Sequence, residues 1–158
     1  MNSISLDTVD LRNSVSADSS DSSAGARRAS TKASRAVWTG RALGAVGVLF
    51  LAMDAAMKLF VIPATVEVTT LLGYSASVIV PLGILEVVLL ALYLIPRTSL
   101  LGAILWTGYL GGAVATHVRV ENPLFSHILF PVYIATFLWA SLCLRDERVA
   151  RALGLGAR

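Results

Sequence analysis

Cysteine occurs once in the 158 residues, at Cys143, so no intrachain disulfide frames the fold and no CxxC thiol pair exists. Charge is scarce as well: Asp, Glu, Lys and Arg make up 15% of the chain, against about 25% in soluble domains. Apolar residues reach 56%, and a water-soluble fold of this length lacks the interior to hide them. Together these features exclude an ordinary soluble enzyme and a disulfide-framed secreted domain. A glycine-rich phosphate loop and a nucleophile elbow are also missing, which leaves nucleotide and serine-hydrolase chemistry without support. The net charge is only +3, and the basic residues flank apolar blocks, so a nucleic-acid partner is not indicated. The chain reads as a membrane protein with the lipid bilayer as its first partner.

Residues 1–36 hold ten serines and nine of the 23 charged residues, without helical or alternating periodicity. Such a segment buries too little apolar area to offset ordering entropy, so a disordered cytoplasmic tail is expected there. No compact apolar run occurs before Gly40, which argues against a secretory signal. Four apolar blocks follow, at about Ala42 to Ile62, Ser77 to Ile95, Leu100 to His117 and Leu124 to Leu144. Each is long enough as a helix to cross a hydrocarbon core of about 30 Å. Stretches such as Val87-Val88-Leu89-Leu90-Ala91-Leu92 lack the alternation that a barrel strand needs. The predicted fold is therefore all-α: a polytopic bundle of four transmembrane helices, with a short basic tail over 148–158.

Lysine and arginine set the expected orientation. Arg27, Arg28, Lys32, Arg35 and Arg41 precede the first block, Arg97 lies in the second loop, and Arg145, Arg148, Arg151 and Arg158 follow the fourth. The opposite side has Arg119, with Lys58 a turn inside. Both termini are expected to be cytoplasmic, with the loops around Glu67 and Glu121 facing outward.

Charge inside a bilayer is costly and seldom left unpaired. Asp54 and Lys58 lie one helical turn apart on the first block and share a face. Glu86 falls halfway along the second, and His117, Arg119, Glu121 and His127 mark the outer ends of the third and fourth. Depth counting gathers these groups into the outer half of the bundle, which suggests a polar chamber opening outward. They could be structural ion pairs, Asp54–Lys58 and Glu86–Arg119. Alternatively the chamber holds a small ligand or passes protons, with Glu86 as the titrating group. Gly108 and Gly112 form a small-xxx-small face, expected to pack within the bundle or to support a homodimer. Gly111 beside them leaves further room. His117 and His127 are expected at similar depth, but with no second pair a polar network is the better reading than haem or metal.

Several runs carry a resemblance. Trp38-Thr39-Gly40-Arg41, Asp54 with Lys58, Pro81-Leu82-Gly83 with Glu86, Leu92-Tyr93-Leu94-Ile95-Pro96-Arg97-Thr98, Thr107-Gly108-Tyr109-Leu110-Gly111-Gly112-Ala113, Ala115-Thr116-His117-Val118-Arg119, and His127 before Phe130-Pro131 resemble the DoxX-like family. That family consists of small four-helix membrane proteins, and the likeness covers about residues 37–147. It implies a four-helix bundle in a bacterial-type plasma membrane. It also implies a link to redox chemistry, because the name-giving relatives are membrane subunits of thiosulfate:quinone oxidoreductases and others associate with oxidative-stress proteins. On this footing the chain is expected to be a subunit or accessory of a quinone-linked oxidoreductase, with a redox partner protein. Lys58, Arg119 and His127 would hold an anionic substrate, Glu86 and Asp54 would exchange protons, and His117 would relay them. The resemblance points to a quinone as a candidate ligand without identifying a cofactor, and no haem, metal or nucleotide motif is present. The competing readings are a non-enzymatic membrane scaffold and a small proton-coupled transporter. One departure is Glu121-Asn122 before Pro123, where a glycine-containing turn is expected.

Overall fold

A computed structural model describes Thr31 and residues 34–155. The expectation of a disordered tail over 1–36 lies outside the described residues, except at Thr31 and residues 34–36, which are helical. The chain divides after Trp38, and the architecture below is that of the unit Thr39–Arg158.

Among the described residues every regular element is a helix. Four helices are long and apolar enough to cross a membrane: Ser34–Leu59, Ala76–Leu94, Ser99–Arg119 and Leu124–Arg145. The first is α1. A short helix α2 (Pro63–Leu71) follows, then a 3-10 turn (Ala76–Val78) leading into α3 (Ile79–Leu94), then α4 (Ser99–Arg119). A widened π-type turn (Leu124–Ile128) leads into α5 (Phe130–Arg145), and α6 (Glu147–Ala152) ends the series. Helix α1 starts ahead of the expected apolar block, because a helix need not stop where lipid does. Helix α2 fills what sequence alone presents as the loop around Glu67. It is too short to span, and Pro63 starts it where a missing N–H costs nothing.

Helices α1, α2, α4 and α6 end by one device, whereas α3 and α5 run into extended residues at Ile95 and Asp146. At the end of α1, Val61 N–H donates to Lys58 O and Ile62 N–H to Met57 O, while Val61 adopts φ 49°. The end of α4 repeats the pattern, with Asn122 N–H on His117 O and Glu121 at φ 55°. These are Schellman-type stops, in which a left-handed residue turns the chain back and satisfies the last carbonyls. Glycine normally holds that position, and among the described residues it does so at Gly73 (φ 82°) and Gly154 (φ 71°). Glu121 thus occupies the very position where a glycine is expected. Pro63 and Pro123 then prevent either helix from resuming two residues later.

Close contacts place the four long helices in a ring. Helix α4 packs on α3 and on α5. Helix α1 closes the ring against α5 through Gly40, Gly44 and Gly47, which face Leu144, Ser141 and Leu138. It meets α3 at Gly83, where a Cβ would lie 3.0 Å from Lys58 Cβ. Gly102 lets α4 approach the backbone of Tyr93 on α3. The buried core runs through Leu51, Leu89, Leu90, Tyr93, Trp106, Ile134, Leu138 and Leu142. Tyr93 is fully buried and donates to Leu138 O at 2.9 Å, tying α3 across to α5. Meanwhile large apolar side chains such as Leu49 (72% exposed) and Phe60 (81%) point outward. Such a surface suits hydrocarbon, not water.

Candidate functional site

Asp54 and Lys58 share a face of α1, as the one-turn spacing predicts. Lys58 Nζ donates to Asp54 Oδ2 at 2.5 Å and to Glu86 Oε1 on α3, also at 2.5 Å. Glu86 is fully buried, and the Tyr109 hydroxyl from α4 donates to the same Oε1. Glu86 Oε2 has no hydrogen-bond partner. Three helices thus converge on one carboxylate. Gly83, one turn before Glu86, makes this possible: its missing side chain lets α1 approach closely enough for Lys58 to reach Glu86. Trp106 stands edge-on to the Tyr109 ring, centroids 5.4 Å apart, and supports it from the core side.

The ion pair expected between Glu86 and Arg119 does not form. Lys58 takes Glu86 instead, and the Arg119 guanidinium donates to Leu72 O and lies 5.7 Å from the centre of the Tyr74 ring. Tyr74 in turn shares a 2.9 Å hydrogen bond with Thr116. Arg119 therefore fastens the turn after α2 to the end of α4. Gly73 accommodates this, because a Cβ there would come 3.1 Å from the guanidinium.

Beside the charged cluster lies a cavity of about 570 Å³. Its walls are mostly apolar. Phe50 and Met57 come from α1, Val68 from α2, Leu82 from α3, and Phe130 and Ile134 from α5. Phe50 and Phe130 meet edge to face, centroids 4.9 Å apart. Asp54, Lys58 and Tyr109 give the cavity its polar end, with Thr65 and Thr69 contributed by α2 and His117 further along α4.

Gly108 and Gly112 line this space, and nothing lies within 4 Å of where their side chains would begin. They are therefore not a packing face within the bundle. Gly111 likewise has open space and does not line the cavity. The close helix contacts belong instead to Gly40, Gly44 and Gly47, and to Gly83 and Gly102.

The two histidines do come together, ring centroids 5.7 Å apart at an interplanar angle of 66°. Asn122 Nδ2 donates to His117 Nδ1 at 2.7 Å, which leaves the ring N–H at Nε2. His127 Nδ1 bonds Ser126 at 2.8 Å, and His127 is not part of the cavity wall. No group of three or more metal-binding side chains occurs among the described residues.

Sequence reasoning missed Tyr109, Thr65 and Thr69 as site residues. Tyr109 sits in a quoted motif, but its partner is 23 positions away on another helix. The threonines belong to α2, whose nine residues give no spanning signal.

A sequence model described as the DoxX-like family matches residues 42–141. That range includes Asp54, Lys58, Glu86, Tyr109, His117, Arg119 and His127, and stops short of α6. No curated protein and no solved structure matches the chain.

Proposed function

The chain belongs to the DoxX-like family, and on that premise we propose that it binds a small amphipathic redox molecule of the quinone class in the cavity between its helices. In this reading it serves as a membrane subunit or accessory of an oxidoreductase, with a partner protein supplying electrons. One observation carries the reading: a fully buried carboxylate, held by Lys58 and Tyr109, stands behind the polar end of an aromatic-walled cavity of about 570 Å³. That volume falls within the range of about 300–1,000 Å³ usual for small-molecule sites. Buried charge inside a membrane bundle is expensive, which favours a functional role for it.

The residues present suit a quinone. Its ring would lie against Phe50 and Phe130, and an oxygen would reach Lys58, which keeps one ammonium hydrogen after serving two carboxylates. When bound, a quinone supplies two-electron redox chemistry that no side chain lining the cavity offers. Asp54 and Glu86 would exchange protons near it, and His117 would pass them along the wall. Arg119 and His127 would act at a remove, Arg119 by fixing α2 as a wall and His127 by bracing His117. Both termini would be cytoplasmic, with the cavity in the outer half of the bilayer.

Mass spectrometry of small molecules retained by gently extracted protein tests the reading. A quinone is expected with the native protein and is expected to be lost in Glu86→Gln, with the variant still folded in detergent. Native protein that retains no small molecule and binds no added quinone overturns it. A Glu86→Gln variant that unfolds assigns the cluster to structure alone.

A further inference from the structure

We propose that the polar end of the cavity selects a ligand that donates hydrogen bonds to it. A ring compound bearing hydroxyls would then bind more tightly than the same ring bearing carbonyls. The inference rests on the ligand-binding reading above and sharpens it.

The argument is a count of donors and acceptors. Lys58 has three ammonium hydrogens, of which two are committed to Asp54 Oδ2 and Glu86 Oε1. The single Tyr109 O–H is committed to Glu86 Oε1. What remains is mostly acceptor: Asp54 Oδ1 at the cavity wall, the Tyr109 oxygen lone pairs, and behind them the unpartnered Glu86 Oε2. Against these stands one free hydrogen on Lys58. Two carboxylates meet one ammonium, so the ionised cluster carries an excess negative charge.

The other polar groups of the wall do not restore the balance: the Tyr74 and Thr116 hydroxyls are spent on each other and on Gly112 O. Arg119 is turned away onto Leu72 O and Tyr74, and is not part of the cavity wall. His117 offers an N–H from the wall, but eight residues along α4 from Tyr109, about 12 Å away by helix rise. The hydroxyls of Thr65 and Thr69 turn either way and so favour neither kind of ligand.

A carbonyl brought to this end can accept only the single remaining Lys58 hydrogen, and it leaves Asp54 Oδ1 without a donor. A hydroxyl there donates to Asp54 through a charge-assisted bond, the stronger kind. Sites that hydrogen-bond a particular group discriminate against analogues lacking it because their own polar atoms are then left unpaired. For the quinone couple, the favoured partner is the dihydroxy form. A tenfold preference raises the potential of the bound two-electron couple by about 30 mV, easing reduction of whatever occupies the cavity.

The experiment measures binding to the full-length protein in lipid nanodiscs under anaerobic conditions. The probes are dimethylnaphthoquinone, its dihydroxy form and naphthoate. The methyl groups keep the quinone from adding to the Cys143 thiol. The dihydroxy form is expected to bind at least tenfold more tightly than the quinone, with naphthoate weakest. In Asp54→Asn, whose amide also donates, the preference is expected to fall toward unity. Equal or tighter binding of the quinone by the native protein overturns the inference while leaving the ligand-binding reading intact. Tightest binding of naphthoate overturns it as well. Binding of none of the three overturns both. An unchanged preference in Asp54→Asn removes the selection from this cluster and overturns the inference.

Discussion

Lys58 stands between two carboxylates from different helices, and its energetic position follows from that geometry. Removing one partner of a buried pair leaves an uncompensated charge, which costs about 3–5 kcal/mol. Lys58→Met is therefore expected to lower resistance to unfolding in detergent by about that much. The double variant Lys58→Met/Glu86→Gln is expected to recover most of the loss, because the stranded charge is gone. A double-mutant cycle of unfolding free energies checks this, and simple additivity of the two changes would contradict it. Glu121 makes a second case at this scale. It holds the left-handed turn that ends α4 although a side chain disfavours that conformation. Glu121→Gly is expected to stabilise the protein by about 0.5–1 kcal/mol, readable as a higher midpoint of detergent unfolding.

Among the helices, small residues do two opposite things. On α1, Gly40, Gly44 and Gly47 remove side chains so that α5 can approach, and Gly102 does the same for α4 against the Tyr93 backbone. On α4, Gly108 and Gly112 remove side chains and nothing approaches, which leaves the cavity. The same substitution should therefore have opposite effects. Gly102→Ala forces backbone against backbone and is expected to destabilise by about 1–3 kcal/mol. Gly108→Ala meets open space in a helix, where alanine is favoured by up to about 1 kcal/mol. It is expected to hold or raise stability while weakening ligand binding, since its methyl group projects into the cavity. Paired unfolding and binding measurements on the two variants separate packing glycines from cavity glycines.

At the scale of the whole molecule, the ring of four helices puts the charged cluster, α2, His117 and His127 toward one end and Arg97, Cys143 and α6 toward the other. The basic residues concentrate at the second end and beyond it in sequence, which predicts that this end faces the cytoplasm. Cys143 is the sole cysteine, so Cys143→Ser gives a thiol-free background. Glu67→Cys on exposed α2 is then expected to react with an impermeant maleimide in intact cells. Glu147→Cys, exposed at the start of α6, is expected to react only after permeabilisation. The reverse pattern would invert the molecule and place the cavity in the opposite leaflet.

Hydrophobicity is a property of composition and length, so the membrane environment and the four spanning helices are legible along the chain. So is the Asp54–Lys58 pair, because a helical turn is a local rule. The partner of Glu86 is not local. Arg119 and Lys58 are both cations near the right depth, and only the approach of α1 at Gly83 decides for Lys58. The role of each glycine is likewise hidden, because a missing side chain marks a contact in one place and a cavity in another. Short α2 escapes notice since nine residues cannot span, yet it supplies one wall of that cavity. Sequence determined the solvent, the helices and the kinds of charge placed in the bilayer, through periodicity and transfer energy. Tertiary structure decided which charges meet, because pairing depends on distances between helices, and those are set by the side chains that are absent.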